Sequence, residues 1–568
     1  MIGDAAQRDT LRHRSTVIAN SMACRMVALM PSAGDYRGLA ESWRGDLVAG
    51  VTVGVVALPL ALAFGITSGL GATAGLMTAI VAGLVAGIFG GSNVQVSGPT
   101  GAMAVVLLPI VARHGAHAVY VVGLMAGVLL LIASLARLGR LLAYVPWPVV
   151  EGFTVGIAVI IFLQQVPNAL GAAKPKGQNA AAVAARAVVD AFGHVDLAAV
   201  AVVAITIVVM ILAPRLHRSL PASLLAVVLA TFVAEIAGWQ VARIGTLPGS
   251  LPMPALPGIS VAQVQDLFGA AVAVALLAAM ESLLSAKVAD GMSDTARHDP
   301  ERELFGQGLA NLASPLFGGM PATGAIARTA VNVRAGARTR VSAIAHSLVL
   351  VLVVLAGGSL VARIPLAALA GVLILTAIRM VEVHNVRAVL FSTRSDAFVL
   401  AITACATIAF DLIVAVELGI ALAAILALLK IAKSASAVKE AVTFEGIDDT
   451  VEATLLRDRI VCYRIDGVLF FGAAQRFLTE LTAVTDVKVV ILRLPDLQML
   501  DATGAQALSE IVAELEARGI TVLIKGARPD HLRLLGTVGA LDRLAHEKHL
   551  FTDLDAAIAH AQTHARRT

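Results

Sequence analysis

Two charged residues stand inside apolar sequence. Glu281 lies within the run Phe268–Ala286, and Arg328 follows Ala327 one turn into a short segment of small residues. An ionised group in hydrocarbon is costly, so such residues usually face a cavity and serve transport. A carboxyl group can carry a proton, and a guanidinium offers fixed positive charge to an anion. Structural readings compete: an ion pair or hydrogen bond for Glu281, and snorkelling to the interface for Arg328. Glu281 and Arg328 are also candidates to pair with each other when no anion is bound. Ser285, four residues after Glu281, shares its helix face and could orient the carboxylate, ligate a cation or simply pack. His114, His117 and His346 read as solvated or interfacial.

A second pattern is internal. Thr100-Gly101-Ala102-Met103-Ala104 recurs as Thr323-Gly324-Ala325-Ile326-Ala327, each copy after a Gly/Pro break, Ser97-Gly98-Pro99 and Gly318-Gly319-Met320-Pro321. Paired, short, Gly/Pro-interrupted segments in corresponding positions point to a transporter binding site. A helix that begins in mid-membrane has unpaired N–H groups and the positive end of its dipole there. Two such ends facing each other make an anion site, with Thr100, Gly101, Gly324 and Ala325 as donors and Arg328 as added charge. Close packing of small-residue helices is the competing reading.

The elements that would position these residues follow from composition. The chain has 568 residues, 14% charged and 58% apolar, with a mean hydropathy of +0.85. So few charges cannot cover a soluble surface, which makes this an integral membrane protein embedded in a lipid bilayer. The net charge of +4 fits basic cytoplasmic loops and requires no nucleic acid. Cys24, Cys405 and Cys462 form no CxxC pair or Cys/His zinc pattern, and phosphate-loop, HExxH and GxSxG motifs are missing. The sequence therefore implies no enzyme, no metal and no cofactor.

A span of about 20 helical residues crosses the hydrocarbon, and about fourteen segments qualify: 47–67, 70–89, 97–111, 117–136, 148–166, 195–213, 220–237, 267–287, 302–317, 323–333, 341–362, 365–380, 396–411 and 412–430. The repeated motif falls third in each run of seven. Seven is odd, so the two halves have opposite orientations. With the N-terminus inside, loops after even-numbered spans carry Arg137, Arg140, Arg215, Arg218, Lys287, Arg297, Arg302, Arg334, Arg338, Arg340, Arg379, Arg387 and Arg394. The other side carries only Arg113, Lys174, Lys176, Arg186, Arg243 and Arg363. Both termini are then cytoplasmic.

The expected organisation is a cytoplasmic tail at 1–43, a transmembrane domain at 44–433, a linker at 434–445 and a soluble α/β domain at 446–568. In the last, Val487–Leu494 and Ile520–Lys525 read as buried parallel strands flanking a helix over Gly504–Ala517.

These residues resemble the SulP family of anion transporters. The motifs that carry the resemblance are Ala57-Leu58-Pro59, Gly75-Leu76, Phe89-Gly90-Gly91-Ser92, Gly98-Pro99-Thr100-Gly101, Glu303-Leu304-Phe305-Gly306-Gln307-Gly308, Leu316-Phe317-Gly318-Gly319 and Arg328-Thr329-Ala330-Val331-Asn332. The resemblance implies an all-α membrane domain built as a seven-plus-seven inverted repeat with core and gate domains, dimeric, moving like an elevator in a bacterial plasma membrane. The tail resembles a STAS domain. In it Asp501-Ala502-Thr503-Gly504 is similar to a regulatory Asp-Ser-Ser-Gly turn, with Thr503 at the phosphorylated position; helix capping by Asp501 or Thr503 is the simpler reading.

Within the family, Ala57–Gly65 and Gly71–Leu76 look most like the BicA-type sodium/bicarbonate transporters. Their sodium site is altered here, with Glu281 for Asp, Ser285 and Ile326 for Thr, and Arg328 for Gly, while Gly324 and Ala325 match its backbone ligands. A guanidinium beside the anion makes sodium electrostatically redundant. Glu281 with Arg328 resembles the sulfate type, in which a proton travels with the anion. The expected cargo is a small inorganic anion: sulfate by proton symport or exchange, then bicarbonate with sodium, then C4-dicarboxylates. An anion channel and a non-transporting anion sensor are the readings from other classes.

Overall fold

A computed structural model describes residues 29–567, apart from 143–145, 174, 176, 178, 193, 218–219, 246–249, 259, 410–411, 435, 441–458, 470–486, 545 and 547–548. The chain divides into two units, Met1–Ile420 and Ala421–Thr568.

In the first unit a helix occupies each expected segment: α1 (Leu39–Thr67), α2 (Ala72–Phe89), α3 (Gly101–His114), α4 (Ala116–Leu135), α5 (Trp147–Leu170), α6 (Leu197–Leu216), α7 (Ala222–Ile236), α8 (Val261–Met292), α9 (Pro300–Leu316), α10 (Ile326–Arg334), α11 (Val341–Val361), α12 (Leu366–Met380), α13 (Arg394–Ala409) and α14 (Leu412–Ser434), the last running past the division. Short helices at Gly139–Leu142, Ala180–Ala191 and Val383–Ser392 lie between them. Among the described residues, eight helices are long and apolar enough to cross a membrane. Large apolar side chains such as Leu212, Phe232, Leu352 and Leu355 are exposed, the mark of a surface solvated by lipid rather than water.

Helices α1–α4 and α8–α11 pack mainly on one another, and α5–α7 with α12 and α13 form a second group. Between α2 and α3, and again between α9 and α10, the chain is extended. There β1 (Ser97–Gly98) and β2 (Thr323–Gly324) pair antiparallel, Ser97 opposite Gly324 and Gly98 opposite Thr323. The two breaks recognised in the sequence are thus joined to each other and run in opposite directions.

The helical body starts earlier than the apolar run that announces it. A 3-10 turn at Ala33–Tyr36 precedes α1, and Asp35 receives a bidentate pair of bonds from Arg302 Nη1 and Nη2 at 2.6 and 2.7 Å. Arg340 Nη2 lies 3.8 Å away. Asp46, fully buried, accepts from the N–H groups of Arg338 and Thr339 at 2.7 and 3.0 Å and from the Thr339 hydroxyl. Two aspartates therefore tie α1 and the turn before it to α9 and to the residues just before α11.

The second unit is a sheet in the order β3 (Ser436–Glu440), β4 (Ile460–Leu469), β5 (Val489–Arg493), β7 (Thr521–Lys525), β8 (Leu550–Phe551), with β6 (Leu497–Leu500) also on β4. All pairs are parallel except β3–β4. The stretch expected as a linker thus contains the first strand. Alternate strand residues face opposite layers: Val490, Leu492, Val522 and Ile524 pack on α15 (Ala502–Ala517). Val489, Ile491 and Leu523 pack on the last helix, which follows α16 (Pro529–Thr537) and is labelled α17 (Leu554–Arg567).

The Asp35 pair makes the fold acid-sensitive in a definite window. The hydrogen bonds from Arg302 hold the Asp35 carboxyl down at about 2. A depressed carboxyl contributes stability that is fully present above the ordinary value near 4 and is lost as pH falls towards 2. Asp35→Asn is expected to lower stability on the order of 2 kcal/mol at pH 7. Thermal melting in detergent should show the gap between parent and variant closing between about pH 4 and pH 2; a gap independent of pH would remove the assigned role.

Candidate functional site

Helix α3 starts where it does because Thr100, in extended conformation (φ −125°), caps it and accepts from Met103 N at 3.4 Å. Helix α10 starts after Ala325, also extended. The first-turn N–H groups at Gly101 and Ala102, and at Ile326 and Ala327, have no acceptor within their own helices. Both positive helix ends meet at the β1–β2 pair.

Glu281 comes in from α8. Its Oε2 accepts from Thr100 Oγ1 at 2.9 Å and from Thr323 Oγ1 at 2.8 Å. The equivalent threonines of the two repeats hold one carboxylate oxygen between them. Arg328, 2% exposed, donates from Nη2 to the Pro99 carbonyl at 2.7 Å. Its Nη1 is buried without a partner. No ion pair joins Arg328 to Glu281 among the described residues; Arg328 bonds the Pro99 carbonyl of the opposite repeat, and Glu281 bonds a threonine of each repeat.

Other expected residues sit differently. The Gly324 N–H donates to Ser282 Oγ at 2.9 Å and the Ala325 N–H to the Val96 carbonyl at 2.9 Å. These two donors are already used, and the open ones on α10 begin one position later. Ser285 bonds Thr329 Oγ1 at 3.2 Å, which in turn accepts from Val96 N at 3.1 Å; it braces α10 against β1 and does not touch the Glu281 carboxylate. His346, expected to be solvated or interfacial, is fully buried. Burial follows from its place on the α11 face that packs on α1 and α2. In the second unit, Asp501 caps α15 through Gly504 N at 2.7 Å, and Thr503 is exposed in the first turn.

Several supporting residues carried no role in the sequence reading. Glu303 accepts from Gly91 N, Ser92 N, Gln95 Nε2 and Gln307 Nε2, and Gln307 reaches Ser97 Oγ at 2.6 Å. Asn311 bonds both the N–H and the carbonyl of Ala322. Thr323 was the one with a signal, since it repeats Thr100. A cavity of about 570 Å³ runs along α3 from Val105 to His114, with Ile160 and Gln164 of α5, Ala273 of α8 and Thr407 of α13 on its walls. It stops one turn short of Thr100.

Two glycines let this site close. A Cβ on Gly98 would fall 2.6 Å from Arg328 Nη1, and one on Gly101 would fall 2.4 Å from Ile161 Cδ1 of α5.

The sequence as a whole matches the sulfate permease family over residues 43–403 and the STAS domain over residues 453–557. The chain belongs to the sulfate permease family. Members of this family are transporters, not enzymes. A Bacillus subtilis relative, YvdB, which bears a sulfate-transporter name, is 34% identical over 93% of this chain and 99% of its own. The bicarbonate transporter BicA of Synechocystis is 30% identical over 91% and 94%. The structure of murine SLC26A9, an anion transporter, shares the fold with a TM-score of 0.79 at 16% identity, covering 91% of each chain.

Gly98→Ala should push the guanidinium away from its present position without burying a new polar group. The expected result is a KM for the transported anion raised about ten- to a hundredfold, the worth of one charge-assisted hydrogen bond, with an unchanged elution profile in detergent. An unchanged KM would mean that Arg328 does not meet the anion.

Proposed function

We propose that the chain is a secondary active transporter of a small inorganic oxyanion, sulfate first, with a proton carried on Glu281. The observation that supports this best is Arg328: a buried guanidinium with an unpartnered Nη1, placed between two helix N-termini. A buried donor of this kind gains an acceptor only when an anion arrives. Thr100, Gly101 and the first turn of α10 supply further donors; Gly324 and Ala325 shape the site through their backbone.

Proton coupling fits the donors around Glu281 better than sodium coupling does. Both threonine hydroxyls direct hydrogens at Oε2, so a cation there would face the wrong end of each O–H. The fixed charge of Arg328 adds repulsion. Protonation of Glu281 would loosen its hold on the two breaks as the anion loads. Sodium-dependent bicarbonate symport is the second reading, favoured by the BicA relative. On this reading both termini lie in the cytoplasm of a bacterial cell, as the bias of Arg and Lys among the loops favours, the protein is a homodimer in its membrane, and the exposed Thr503 is a site where a phosphate would sit at a helix N-terminus.

Radiolabelled sulfate and bicarbonate uptake into proteoliposomes, under separate inward proton and sodium gradients, tests the reading. Proton-driven sulfate uptake is expected, with Glu281→Gln abolishing the response to the gradient while anion exchange persists. Sodium-driven bicarbonate uptake that survives Glu281→Gln would overturn it. Conductance far above carrier turnover would make the protein a channel, and binding without uptake would make it a sensor.

A further inference from the structure

The second unit brings together histidines that lie apart in sequence. His560 and His564 are one turn apart on α17, with Nε2 atoms 3.2 Å from each other. His549 precedes β8, and its ring centroid is 5.5 Å from that of His560 and 5.2 Å from that of His564. One ring nitrogen from each of the three lies within 4.8 Å of the others. His546 stands beside them, 6.1 Å from His549 between centroids.

The state of His549 distinguishes this cluster from packed imidazoles. The side chain is 1% exposed, and its Nδ1 has no hydrogen-bond partner. The ring is held by a hydrogen bond to the Val522 backbone. A ligating histidine is commonly arranged in this way, one nitrogen fixed by a backbone carbonyl and the other left for the metal.

The geometry points to a divalent transition-metal site of the zinc class formed by His549, His560 and His564. Two histidines one turn apart on a helix reach one ion. At zinc–nitrogen distances near 2.0–2.1 Å, tetrahedral ligand atoms stand about 3.3 Å apart, close to the observed separation on α17. A set of three imidazole ligands selects zinc, copper or nickel over calcium or magnesium. They leave a fourth position for water or for His546. The small residues Ala557, Ala561 and Ala565 on the adjoining ridge of α17 pack against the sheet, so a bound ion would clasp the C-terminal helix to the edge strand β8. Spacing alone does not show this site, because no cysteine accompanies these histidines in sequence and the third ligand comes from a separate element.

The test uses the full chain, purified without a polyhistidine tag and stripped with a chelator. Titration with Co²⁺ is expected to give one tight equivalent with the strong visible absorption of a four-coordinate site, displaced by Zn²⁺. His560→Gln with His564→Gln, both partly exposed positions, should weaken binding at least about tenfold while circular dichroism stays unchanged. Since α17 also packs through its other face, His564→Gln alone serves as a milder variant with the same expected direction. No stoichiometric binding by the parent chain, or equal affinity and spectrum in the variants, would overturn the assignment.

Discussion

Two breaks in the middle of an apolar helix bundle leave backbone groups that lipid cannot hydrogen-bond. The larger unit is organised around satisfying them. β1 and β2 satisfy part of the need in each other. The remainder falls to side chains from neighbouring helices: Thr329 for Val96 N, Asn332 for the Val94 carbonyl, Thr78 for Met320 N, Asn311 for Ala322 and Ser282 for Gly324. Most of these are buried polar residues inside helices that composition alone would rank as merely hydrophobic. Each is costly to bury without its partner, so the breaks and their attendants specify one another.

The two membrane charges obey the same logic. Arg328 does not lean on Glu281; it is anchored on the Pro99 carbonyl of the opposite repeat. Glu281 is held by a threonine from each repeat. The resulting centre is symmetric in its hydroxyls and asymmetric in its charges, because α10 brings the Arg328 guanidinium where α3 brings Val105. A duplicated scaffold thus supplies the cradle, and single residues outside the repeat pattern supply the chemistry.

Much of this was legible in the sequence. The fourteen apolar segments, the shortness of the third and tenth, and the repeated Thr-Gly motif follow from periodicity and composition, and the structure sets helices over all of them. What stayed hidden depends on tertiary approach. Nothing in the spacing says that the Gly324 and Ala325 donors are already used, that Ser285 faces Thr329, or that His346 is sealed in. The tie from Asp35 to Arg302 joins residues far apart in the chain, as does the meeting of His549 with α17. Residue type gave the charged candidates; contact order withheld their partners.

Gly101 has a mechanical meaning beyond the room it leaves for an anion. It lies at the start of α3, in the group of helices that carries the two breaks, and it faces Ile161 in the other group with no side chain between. At this point the boundary is a bare backbone against a branched aliphatic chain, with nothing to interlock. A β-carbon there would be driven into Ile161 and close on Phe64, locking the two groups at this point. If the cargo is carried by one group sliding on the other, the smooth bearing sits one residue from Thr100, and wear on that bearing would slow turnover before it altered affinity.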